Sequence, residues 1–104
     1  MNNAQFEDAL GELFSRVIAG SGTLDTDVRL AIANGQDMPQ EFATLTEKIH
    51  QHAYRVTDED VDSVLKSGFH QEDVFEAVVS GAVGASVARW RVYLEKREEA
   101  IDAS

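Results

Sequence analysis

The run AVVSGAVGASVARW, residues 77–90, constrains this chain more than any other stretch. It has helical spacing but carries few large side chains. Gly81 and Gly84 each cost about 1 kcal/mol relative to Ala in a helix interior. Ser80, Gly84 and Ala88 recur at intervals of four, as do Gly81 and Ala85. Small residues one turn apart open a groove, and a neighbouring backbone can then approach closer than the usual 8–10 Å or so. That contact offsets the glycine penalty. It arises either at a tight crossing inside one chain or at a subunit interface. Gly81, Gly84, Ala85 and Ala88, with Trp90 and Tyr93 beyond them, are therefore interface candidates. In a membrane the same spacing marks a dimer face, but charged residues flank this run.

The other segments read as helices that could surround such a core. Phe6, Leu10, Leu13, Phe14, Val17 and Ile18 form an apolar stripe at helical spacing, predicting a helix over 3–19. Asn3 is the expected cap and GSG at 20–22 the stop. A short second helix carries Val28, Ala31 and Ile32 inward, with Asp25 or Thr23 as cap and Gly35 as terminator. Pro39 suits the first turn of a third helix, reaching about residue 54, with Phe42, Leu45, Ile49 and Ala53 buried. Thr57 and Asp60 form a capping box for a short fourth helix, and Gly68 ends it. Phe69 and Val74 are placed as a hydrophobic staple, with His70 at the cap of the last helix. That helix is expected from Gln71 to near Glu98, apolar over most of its circumference and hence central. The tail EEAIDAS is expected to fray. No segment shows strand alternation. The expected fold is all-α, a single domain over 1–104 of about five helices, with N-terminal helices in 1–35 and a core over 39–98.

Composition narrows the function. The 104 residues carry a formal charge of −10, which repels phosphate backbones and argues against nucleic acid. Arg89, Arg91, Lys96 and Arg97 cluster late but among Glu95, Glu98 and Glu99, as on a solvated, ion-paired helix face. Binding of an acidic partner or ligand is the other use of that cluster. There is no cysteine, which excludes disulfides, thiol catalysis and zinc–thiolate sites. The acidic amphipathic start is unlike a signal peptide, and no apolar run approaches the roughly 18 residues of a membrane span. A cytoplasmic protein is the expectation.

The stretch VTDEDVDSVLKSGFHQEDVFEAVVSGAVGASVARW resembles the C-terminal part of the AhpD-like / carboxymuconolactone decarboxylase superfamily. The shared features are a short helix with an acidic start, a Gly-aromatic turn, and a long helix rich in Ala and Gly with its own acidic start. The resemblance covers roughly residues 42–95. It implies a helical bundle that assembles into homo-oligomers. Family peroxidases use a CxxC pair, a nearby His and a Glu relay. Without a cysteine, none of those positions carries over and thiol peroxidase activity is excluded.

Two functions fit that resemblance. One is a non-catalytic module, an oligomeric accessory or partner-binding subunit. The other is a small acid–base enzyme of the decarboxylase type, acting on a small acidic substrate. Its candidates are His52 at the edge of the third helix's stripe, Glu76 on the last helix, and Arg89 to hold a carboxylate. Each has a plain structural alternative: a partly exposed histidine, a solvated helix charge, an ion pair. A ligand-binding role is the remaining option. The HQH at 50–52 is no metal site, since residues two apart on a helix point about 200° from each other. No nucleotide or esterase motif is present, so no cofactor is implied.

Overall fold

The computed structural model describes residues 2–103 and is helical throughout. Its five α-helices are, in order, α1 (Asn3–Ala19), α2 (Thr26–Asn34), α3 (Ala43–His52), α4 (Asp58–Lys66) and α5 (Gln71–Ala103). Single 3-10 turns, Gln40–Phe42 and Ala53–Arg55, flank α3. At about 1.5 Å per residue the 33-residue α5 is near 50 Å long. It defines the 54 Å long axis of the molecule, and all the other helices pack along it.

The caps obey local chemistry with two changes. Asn2, not Asn3, caps α1, in a reciprocal box with Gln5. Asp25 occupies the α2 cap position without making a side-chain cap bond, and Thr23, the other candidate, is engaged by Glu76. Gly35 closes α2 at φ 70°, the left-handed conformation that favours glycine. Thr57 and Asp60 form the expected box on α4, and Lys48 of α3 reaches the same Asp60 carboxylate at 2.8 Å. The Lys48 ammonium, then the Thr57 amide, hold that carboxyl below its ordinary value. The third helix ends earlier than its stripe suggests, so Ala53 lies in the exposed 3-10 turn. The tail continues α5 to Ala103; Ser104 lies outside the described residues.

The core gathers Ile32, Phe42, Leu45, Ile49, Val64 and Val74, with Phe69 packed on Phe42 at 4.7 Å between centroids. The thin part of α5 crosses α2 and α3 there. A Cβ on Gly84 would overlap the Ala33 carbonyl oxygen. One on Gly81 would meet Ile49 Cγ2 at 3.0 Å. Gly84 thus lets α5 touch the α2 backbone and Gly81 admits the Ile49 and Ile32 side chains, all within one chain, and Gly81, Gly84 and Ala85 are buried there.

At the other end the packing is thin. Of the α1 stripe only Ile18 is fully buried, while Phe6 and Leu13 are 41% and 49% exposed. Phe75, Val92, Tyr93 and Ile101 of α5 are also exposed.

Candidate functional site

Glu76 and Asp73 were legible as helix charges, but their partners were not. Both stand on the first turns of α5, facing the link between α1 and α2. Glu76 accepts from the Thr23 amide at 2.8 Å, the Leu24 amide at 3.1 Å and the Thr23 hydroxyl at 2.7 Å. The same hydroxyl contacts the buried Asp73 carboxylate, which also accepts from the His70 amide at 2.8 Å. Burial acts to raise the Glu76 carboxyl. The Thr23 hydroxyl, the two amides and nearby Arg29 outweigh it and hold it below its ordinary value. The His70 amide, then the Thr23 hydroxyl, do the same for Asp73. A general acid or base works best with a pKa near the operating pH. Glu76 is moved the other way, and its lone pairs are committed to fixing a loop.

The remaining polar side chains show a repeating pattern. A helix leaves its last carbonyls without intrahelical donors, and here one carbonyl near the end of each of α1, α2 and α3 accepts from a side chain of a later helix. Arg29 of α2, buried, donates to Val17 O of α1 at 3.0 Å and to Leu24 O at 3.1 Å. His50 of α3 contacts Ile32 O of α2 at 2.8 Å through Nε2. A carbonyl only accepts, so Nε2 carries the proton. Arg89 of α5 donates to His50 O near the end of α3 at 3.1 Å. Cations at helix C-termini also complement the macrodipole.

These positions decide the acid–base candidates. His52 is exposed on the last residue of α3, edge-on to Tyr54 at 5.7 Å. The inner histidine is His50, half-buried against Ile32 O. Arg89 is spent on a backbone carbonyl. The three candidates have separate partners, and none lines the two grooves described next.

The first groove, about 330 Å³, lies between α1, α2 and α5. Leu10, Phe14 and Val87 line it, with Glu7, His50 and Arg91 supplying charge or polarity. The second, about 460 Å³, is a shallow polar hollow beside Gly35, and His50 stands between the two. At the outer edge of the first, Trp90 lies 4.5 Å from Phe6 and 5.3 Å from Tyr93, centroid to centroid. Of the interface candidates, Ala88, Trp90 and Tyr93 reach this surface, Trp90 only in part. Among the described residues no three His, Asp or Glu side chains gather as a metal would require, and no helix is long and apolar enough to cross a membrane.

No family model, curated protein or solved structure matches this chain.

Proposed function

We propose that this chain is a non-catalytic, AhpD-like helical module that acts by assembly, as an oligomeric accessory or partner-binding subunit. The observation that carries this reading is the aromatic ridge of Phe6, Trp90 and Tyr93 on α1 and α5. Exposed Leu13 extends the apolar surface along α1. Tyr and Trp are favoured anchors at interfaces, and a contiguous apolar surface rimmed by charge marks a contact site. The family likeness rests on the order of α4, the Gly68–Phe69 turn, and the thin acidic-start α5. The alternative of an acid–base enzyme finds less support, because His52, Glu76 and Arg89 do not converge.

The test is native mass spectrometry of the protein isolated from its own cells. The expected species is a multiple of the chain, or a stoichiometric complex. Tyr93→Glu and Leu13→Glu should each reduce it to one chain with unchanged helicity by circular dichroism. A wild-type protein that is a single, unpartnered chain at tens of micromolar would overturn the reading.

A further inference from the structure

We propose that the groove between α1, α2 and α5 is a binding site for a small amphipathic carboxylate, an apolar body with one anionic head. This goes beyond the assembly reading and does not depend on it. Three observations at one place carry it.

The first is the space. At about 330 Å³ the groove is about twice the size of an apolar cavity of roughly 150 Å³ that takes up benzene. It also falls at the lower end of ordinary ligand pockets, which often form between helices of bundles. Small residues keep it open. Gly11 sits in the middle of α1, where glycine costs about 1 kcal/mol, and a Cβ there would meet nothing within 4 Å. No close backbone contact explains that glycine, in contrast to Gly84.

The second is an unused donor. Trp90 Nε1 is buried and, like Thr46 Oγ1 and Ser80 Oγ, has no hydrogen-bond partner among the described residues. Buried donors are nearly always satisfied by protein or water, and a turn of the indole would offer this one to an acceptor in the groove. Trp90 lines the groove, as do the apolar walls Leu10, Phe14 and Val87.

The third is an unspent cation. Arg91 lines the same groove and takes part in none of the ion pairs among the described residues. Arg89, two residues away, is by contrast committed to the His50 carbonyl. An indole N–H and a guanidinium both only donate. Their common complement is an anionic acceptor, and a guanidinium fork fits a carboxylate best. Glu7 on the same lining opposes that charge and does not pair with Arg91. Its presence sets an internal check on the sign.

Trp90 is the chain's single tryptophan, so its emission reports on the site. The experiment titrates the intact protein with octanoate, and in parallel with 1-octanol, while native mass is monitored for changes in assembly. A saturable change in emission with octanoate is expected. Arg91→Gln should weaken it about tenfold or more, as for loss of a charge-assisted bond. Glu7→Gln should tighten octanoate and leave octanol unchanged. Trp90→Phe, measured by calorimetry, should weaken octanoate with the fold intact. Arg97→Gln, on the distal part of α5, should change nothing. Gly11→Leu should block binding by filling the space, with a folded spectrum as control. Octanol binding as tightly as octanoate, or indifference to Arg91→Gln, would overturn the anionic head. Absence of any saturable change would leave a hydrated groove only and overturn the site.

Discussion

The two halves of α5 are built to opposite rules. From Asp73 to Ala85 the helix is thin, mostly buried and touched on several sides. Gly84 admits the α2 backbone, Gly81 the Ile49 side chain, and its carboxylates hold the loop before α2. From Val92 to Ile101 the helix is thick, charged and largely exposed, with Val92, Tyr93 and Ile101 open to solvent. One uninterrupted helix therefore serves as a packing axle at one end and a presented surface at the other. On the near half, Ser80, Gly81, Gly84 and Ala85 mark internal contact. Large apolar ones on the distal half mark surface available to something else.

The sharpest break of that comparison is Gly84→Ala. Its methyl group would collide with a backbone carbonyl, which cannot swing aside as a side chain can. A loss of about 3 kcal/mol or more is expected in urea unfolding, at the upper end of overpacking costs. Gly81→Ala faces only the Ile49 methyl at 3.0 Å and gains helix propensity of about 1 kcal/mol, so it should stay within about 1 kcal/mol of wild type.

An intermediate effect is expected from acid. Asp73, Glu76 and Asp60 all have lowered folded pKa values. Their contribution is fully present above the ordinary values of 3.8 for Asp and 4.5 for Glu. It is lost as pH falls through the lowered folded values. Urea midpoints should hold from neutrality to about pH 5 and drop below about pH 4. Glu76→Gln should flatten part of that drop while lowering the neutral-pH midpoint. An unchanged acid limb in Glu76→Gln would remove the Thr23 contact from the list of stabilising interactions.

The smallest effect belongs to the distal half. Ile101→Ala, at a 62% exposed position, should leave chain stability within about 0.5 kcal/mol. A larger loss, dependent on protein concentration, would mean that Ile101 is covered by a second molecule.

How much of this was legible depended on range. Capping and periodicity are local, so spacing alone revealed α1, the Thr57–Asp60 box, the Gly35 terminator and the buried Phe42, Leu45 and Ile49. The expected burial of Ala53 did not hold, because the α-helix ends at His52 and Ala53 and Tyr54 lie exposed in the 3-10 turn that follows. The Thr23–Glu76 contact joins residues 53 apart and has no local signature. Nor does the stripe of α1 say how much of itself will be covered: periodicity marks an apolar face, and the neighbours decide whether it is buried. The small-residue run announced a close crossing but not its partner, which proved to be Ala33 of the same chain.

The order in which helix ends are completed has a consequence for synthesis. Val17 O accepts from Arg29, His50 O from Arg89, and Ile32 O gains His50 beside its local Gly35 amide. The loop at Thr23 waits for Glu76. On a growing chain Thr23 emerges 53 residues before Glu76, and closing so long a loop carries an entropic cost that the completed contacts offset. The contacts of the first third are therefore complete only once Glu76, in the second turn of α5, has been made. Until then its apolar stripe is open to whatever else is nearby, chaperones included.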